Sequence, residues 1–589
     1  MKGLIVFLVT ITLVTCEGIK STLKDVVHPE ISPEEVPSVG SKVNSKRAFP
    51  NSPSGGYAPA VVECPENLPT IRRADSISPA EASWLKLRRQ KTIQPLIDWL
   101  SFISIAEFDT TSYIKSVQKN SENLPNIGIA ISGGGYRSLM SGAGFLAAAD
   151  VRTNASTSPG HIGGLLQAST YVSGLSGGGW LVSSVFVNNF STIESLRDSG
   201  KDSSVWKFEN SIFEGPEMKG HVFDTASYIK KIDSQVDSKE EAGFDVSATD
   251  FWGRGLSYQL ISADDGGPAY TFSSIALQDD FKDGSIPFPM LVATRSLSDN
   301  KQDSLISNVF EMNPFELGTW DTNIAGFAPM EYLGTNFSVG SVPSNGKCVK
   351  GFDQAGFLIG TTSTLFEEAI NRVANSTNIS FFRNALQKFA KGKNGVALLQ
   401  PNPFLGFNPD MNPIVKSKDL PLVDGGLDGQ NLPLLPLIQQ NRKVDVIFAV
   451  DSSADSQNFP NGTALVATYE RSLHGKFNSK FSFPSIPDQN TFVNLGLNKH
   501  PTFFGCNASN ITGDAPLIVY IPNTKVSVAS NINTFQTEYR RSFRDKMIQN
   551  GYEFSTRSNG TIDPQWPTCI GCAVLSRSMT RTKTPFPAA

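Results

Sequence analysis

Ile127-Gly128-Ile129-Ala130-Ile131-Ser132-Gly133-Gly134-Gly135-Tyr136-Arg137 sets an apolar run directly before three consecutive glycines. Isoleucines at 127, 129 and 131 predict the end of a buried strand, and Tyr136 to about Ala149 predicts a helix. A second unit of the same kind follows. Leu165 to Val172 reads as a buried strand, Ser173-Gly174-Leu175-Ser176-Gly177-Gly178 as a tight turn, and Gly179 to Val187 as a helix. Farther on, Val444 to Val450 reads as another buried strand. Strands alternating with helices predict an α/β fold with a mainly parallel central sheet flanked by helices. The stretch from about 200 to 420 is rich in Gly, Phe and Asn and is expected to be a large insertion or cap.

Upstream, residues 17–60 carry Pro, Ser, Gly and Lys without periodicity, which predicts a propeptide or flexible linker with order beginning near Cys64. Ser78-Pro79-Ala80-Glu81 then opens a helix. Ser78 is its N-cap, Pro79 sits in the first turn and Glu81 is expected to reach back to the cap.

The chain has 589 residues, 39% of them hydrophobic, and a formal net charge of -4. A basic excess able to neutralise phosphates is missing, so nucleic acid is not an expected partner. Met1-Lys2 followed by an apolar run from Gly3 to Thr15 predicts a secretory signal peptide over residues 1–16. A membrane anchor is the alternative, but spanning a bilayer takes roughly 20 apolar residues. Sequons at Asn154, Asn189, Asn336, Asn375, Asn378, Asn461, Asn507, Asn510 and Asn559 agree with secretion. Removing Cys16 with the signal leaves Cys64, Cys348, Cys506, Cys569 and Cys572, an odd number. Cys569-Ile570-Gly571-Cys572 lacks the second ligand pair of a zinc site, so disulfide pairing is the expected role.

Three motifs can carry chemistry. Gly174-Leu175-Ser176-Gly177-Gly178 fits Gly-x-Ser-x-Gly, in which small neighbours permit a sharp turn that presents the hydroxyl above a helix N-terminus. An ordinary glycine turn is the plainer reading. Ser132 to Gly135 exposes successive backbone N–H groups that can hold a phosphate or a developing oxyanion, and Arg137 adds a positive charge nearby. A nucleotide loop would need Gly-x-Gly-x-x-Gly or Gly-Lys-Ser/Thr, and neither is present. Val423-Asp424-Gly425-Gly426 places an acid at a strand end, though Asp-Gly turns are common.

Together and in this order, the three motifs resemble the core of patatin-like lipases and of the cytosolic phospholipase A2 catalytic domain. The longer stretches Phe310–Asp321, Gly351–Phe357, Asp424–Pro433, Phe448–Ala454 and Asn490–Leu497 resemble the fungal phospholipase B (lysophospholipase) family over roughly residues 60 to 575. The resemblance implies a catalytic domain over 61–575 that cleaves acyl esters of phospholipids and lysophospholipids at membrane or micelle surfaces. It implies Ser176 as nucleophile, Asp424 as base, Gly134 and Gly135 as the oxyanion hole, and Arg137 as the phosphate contact. It implies neither metal nor other cofactor, and allows transfer of the acyl group to a second lysophospholipid. Relatives tend to carry further cysteines after the segment matching Trp566–Cys569, and many end in a hydrophobic tail. Here residues 576–589 form an atypical tail without one, so a GPI anchor is not expected.

Two other readings compete. The histidines are His28, His161, His221, His474 and His500, and the order Ser176, Asp424, then His474 or His500 would suit a Ser-Asp-His esterase. A non-enzymatic glycoprotein that binds lipid or wall components is the second.

Overall fold

The computed structural model describes residues 50–586 except 104, 199–203, 217–224, 296–306, 365–395, 475–480 and 508–513. The signal segment, most of the 17–60 stretch, His28, His221, Asn375, Asn378 and Asn510 lie outside the described residues.

Strands are numbered in chain order: β1 Ala60–Val62, β2 Arg72–Arg73, β3 Ile127–Ile131, β4 Tyr171–Leu175, β5 Phe288–Arg295, β6 Val309–Met312, β7 Glu316–Thr319, β8 Gly326–Pro329, β9 Cys348–Lys350, β10 Ala397–Leu399, β11 Leu420–Val423, β12 Val446–Asp451, β13 Thr502–Phe504 and β14 Leu517–Pro522. The main sheet is mixed, in the order β13-β14-β12-β3-β4-β5-β6-β7-β8-β2. Its centre, β14-β12-β3-β4-β5, is wholly parallel. Every residue of β3, β4 and β12 is buried, because helices cover both faces; this is why those strands read as apolar runs rather than alternations. The helices Gly135–Ala149 and Gly177–Val187, which follow β3 and β4, are themselves buried along their whole length.

Several local expectations shift. Leu165–Ala168 is a short helix behind Gly164 at φ 108, and the strand starts only at Tyr171. A brief apolar run does not distinguish buried helix from buried strand. β12 begins at Val446, while Asp445 instead accepts the Asn126 N–H at 2.9 Å and pairs with Arg581 at 2.7 Å. The 200–420 stretch is not solely an insertion, since it supplies β5 to β8 of the main sheet.

Order also begins well before Cys64. Tyr57 is buried and its hydroxyl donates to Asp250 at 2.8 Å, β1 pairs with β9, and a Cys64–Cys348 disulfide ties the two strands. Residues 50–60 are therefore part of the fold rather than of a linker. Among the described residues, Cys506 and Cys572 are free thiols, contrary to the expected pairing. At the other end, the helix Trp566–Thr582 runs straight through residue 576, so residues 576–582 of the supposed tail are helix.

The helix Pro79–Lys91 starts as predicted, with the Ser78 hydroxyl accepting the Glu81 N–H at 2.9 Å. The Glu81 carboxylate does not turn back to the cap. It binds Arg442, whose guanidinium also holds Glu311; all three are about 1% exposed. Tyr171 and Trp320 donate to the same carboxylates, at 3.1 and 2.9 Å.

Candidate active site

β5 outruns β4, and the vacated edge is taken by β11 running antiparallel. Leu175 pairs with Val292 across β4–β5, and Val423 pairs with Thr294 across β11–β5. Extending both registers by one residue brings Ser176 and Asp424 to the same point on β5, beside Ala293. Two segments almost 250 residues apart in sequence (176 and 424) thus meet at the C-terminal end of the parallel strands, where open α/β sheets place their ligand sites.

Ser176 sits at φ 52, ψ -124 between β4 and the helix Gly177–Val187. A positive φ at a residue other than glycine is strained, and it must be held by its surroundings. Here the Ser176 N–H donates to the Thr362 carbonyl at 3.0 Å, and Thr362 in turn anchors its hydroxyl on the Val292 carbonyl at 2.5 Å. The sharp turn also brings two glycine loops together. A Cβ on Gly177 would strike the Gly135 carbonyl, and Gly178 donates its N–H to the Ser132 carbonyl at 3.1 Å.

Asp424 caps the short 3-10 turn Gly425–Asp428 and accepts the Gly426 N–H at 2.7 Å. It is 2% exposed, and Ser176 is 3% exposed. Burial pushes the Asp424 carboxyl up to about 6. Hydrogen bonds from the Ser176 hydroxyl and the Gly426 N–H pull it partly back, and the Asp428 charge adds to the rise. The site therefore sets the Ser176 hydroxyl beside a carboxylate that is more basic than usual and shielded from water.

Gly134 (φ 139) and Gly135 (φ 60) have backbone conformations that L side chains rarely adopt. They open the helix Gly135–Ala149, where N–H groups precede the helical ladder and stay available to an anion. Gly133 lies against Ser176, since a Cβ there would be 3.1 Å from that of Ser176.

Arg137 is fully buried. Its Nε donates to the Ser452 carbonyl at 2.8 Å and its Nη1 to the Ile532 carbonyl at 2.6 Å, while Nη2 lies beneath Gly134 without a partner. Burial lowers its pKa to about 10, still cationic at neutral pH. The guanidinium expected to meet a head group is thus tied to backbone carbonyls, and among the described residues only its Nη2 remains for an anion.

The three described histidines stand apart. His161 Nδ1 lies 2.7 Å from the Tyr552 hydroxyl, and His474 and His500 are exposed at the ends of other elements. Among the described residues, the acid that the sheet registers bring beside Ser176 is Asp424. Sequence reasoning missed Thr362, Asn431, Asp451 and Ser453. Asn431 belonged to a quoted stretch, but no turn rule points to a side chain seven positions past the acid. Asn154, Asn336, Asn507 and Asn559 are exposed, and Asn189 and Asn461 partly so.

Similarity to known proteins gives the family. The family model described as the lysophospholipase catalytic domain matches residues 127–589. Lysophospholipase 1 of Aspergillus fumigatus is 52% identical over 92% of this chain and 86% of its own length. Lysophospholipase of Penicillium chrysogenum is 50% identical over 92% and 89%, and lysophospholipase 3 of Saccharomyces cerevisiae is 44% identical over 89% and 78%. Among solved structures, human GIVD cytosolic phospholipase A2 shares the fold with a TM-score of 0.62 at 16% identity, over 87% of this chain and 66% of that one. A sheet that delivers an acid to a strained serine, together with half-identical relatives spanning most of the chain, places this protein in the fungal lysophospholipase family of carboxylic ester hydrolases.

Proposed function

We propose that this chain is a secreted lysophospholipase/phospholipase B that releases fatty acids from glycerophospholipids through a Ser176–Asp424 dyad and an acyl-enzyme intermediate. The observation that carries the reading is the convergence of the strained Ser176 and the buried Asp424 on one point of β5, with the carboxyl raised to about 6. An ordinary aspartate, with a pKa near 3.9, is a poor base for a hydroxyl. Burial brings Asp424 closer to neutrality, where general-base catalysis is most effective.

Ser176 Oγ attacks the ester carbonyl carbon as Asp424 takes its proton. The carbonyl oxygen gains negative charge and is met by the N–H groups of Gly134 and Gly135. Losing one such donor typically raises a barrier by about 2.7–4 kcal/mol. Asp424 then gives the proton to the departing glycerol oxygen, leaving the acyl group on Ser176. Water activated by Asp424 frees the fatty acid, or a second lysophospholipid takes it up. Arg137 supplies a fixed positive charge under the glycine loop, directed at substrate phosphate through Nη2. None of these steps draws on a metal or cofactor. Substrates come from membrane or micelle surfaces; the apolar N-terminal run and six sequon asparagines at accessible positions favour secretion and glycosylation.

The test is fatty-acid release from lysophosphatidylcholine without added metal, by wild type and by Ser176→Ala. Release by wild type and none by the variant is the expected result. Equal release by both removes Ser176 from the mechanism, and release by neither rules out this substrate class.

A further inference from the structure

We infer that Asn431 is a positioning residue that fixes the oxyanion loop against the nucleophile and the base-bearing turn; the inference rests on the dyad reading above. Asn431 lies seven residues past Asp424, half-buried at the exit of the same turn. It holds Gly133 at two points. Its backbone carbonyl accepts the Gly133 N–H at 2.9 Å, and its Nδ2 donates to the Gly133 carbonyl at 3.3 Å. Both peptide groups of the first loop glycine therefore end on one residue.

The side chain is locked by a directed chain of donors. Asn431 Nδ2 donates to Ser453 Oγ at 2.6 Å, and Ser453 Oγ donates to Asp451 Oδ1 at 2.6 Å. Asp451 ends the chain as an acceptor, receiving the Ser453 N–H at 2.9 Å and the Tyr520 hydroxyl at 2.9 Å. An acceptor-only terminus sets the sense of every bond above it, so the amide cannot flip. Asn431 Oδ1 is consequently turned toward the two loops: a Cβ on Gly133 would strike it, and one on Gly426 would lie 2.9 Å from it. The amide fills the space that glycines leave at both places. Since Gly133 also abuts Ser176 and Leu175, the amide sets the spacing between the Ser176 hydroxyl and the N–H groups of Gly134 and Gly135.

No substrate atom need touch Asn431. Its effect falls on the transition state, through donor placement, and not on binding. The experiment is steady-state kinetics on lysophosphatidylcholine for wild type, Ser176→Ala, Asn431→Ala, Ser453→Ala and the Asn431→Ala/Ser453→Ala pair, with thermal midpoints alongside. A misplacement near 1 Å is worth about 100-fold. Asn431→Ala should lower kcat by about that factor with KM within about threefold and little change in midpoint. Ser453→Ala should lower kcat less, and the pair should be no worse than Asn431→Ala alone. Wild-type kcat in Asn431→Ala, with Ser176→Ala inactive, overturns the positioning role while leaving the dyad intact. So does a loss confined to KM. If Asn431→Ala does not fold, Ser453→Ala carries the test, and an unchanged kcat there overturns the inference. Turnover by Ser176→Ala overturns the dyad and the inference with it.

Discussion

Asp424→Asn should abolish turnover and make the protein more stable at neutral pH. The carboxyl is 2% exposed, and its pKa is raised from 3.8 to about 6, chiefly by burial. An acid whose folded-state pKa lies above its unfolded value favours folding in the protonated form. The penalty is absent below the unfolded pKa, grows as pH rises toward the folded one and is full above it. At 1.36 kcal/mol per pH unit, the rise corresponds to about 3 kcal/mol at neutral pH. Asparagine has no charge to bury and keeps an oxygen for the Gly426 N–H, so it should recover about 1–3 kcal/mol of that cost. Activity depends on the opposite form: kcat/KM should rise with pH through a single ionisation near 6, with only about a tenth of the base active one unit below it. The assay is unfolding of wild type and Asp424→Asn at pH near 5 and near 8, together with the pH profile of wild-type kcat/KM. The variant's advantage should be about half as large at the lower pH as at the higher. A less stable Asp424→Asn at both values, or an acid limb near 4, would refute the argument that burial makes this aspartate a base.

Two further outcomes follow from packing. Gly177→Ala drives a Cβ into the Gly135 carbonyl, so the loops must part; kcat should fall by about 100-fold or more, and a loss under tenfold in soluble protein would count against the close-loop geometry. Arg442→Met leaves Glu81 and Glu311 buried without a cation and should cost about 3–5 kcal/mol in denaturant unfolding. Adding Glu81→Gln and Glu311→Gln should recover much of that loss, and equal destabilisation in both would argue against the charge explanation.

What was legible in the sequence was local. An apolar run feeding three glycines, or Gly-Leu-Ser-Gly-Gly, carries its strand, turn and helix within a dozen residues, and the structure keeps those units almost as read. The three motifs named Ser176, Asp424 and the glycine loop for the same reason. What stayed hidden was set by distant partners. Glu81 looked like a capping residue because the sequence gives no sign of Arg442, 361 positions away. The burial of Arg137 was not legible because its acceptors, Ser452 and Ile532, come from other parts of the fold. Leu165–Ala168 looked like strand because total burial erases periodicity. The Gly- and Phe-rich stretch concealed β5, which joins the parallel core, and the short strands β6 to β8, which add to it antiparallel. Nothing in the chain order foretold that β11 would fill the space beyond β4, yet that placement brings acid and serine together.

The most direct measurement is to catch the acyl group in transit. Lysophosphatidylcholine with an isotopically labelled fatty acid would be mixed with enzyme, quenched in acid within one turnover and mapped by peptide mass. The account predicts the labelled acyl group as an ester on Ser176, absent from Ser176→Ala and strongly reduced in Asp424→Asn. Label on another residue, or rapid fatty-acid release with no covalent label at any time, would contradict it.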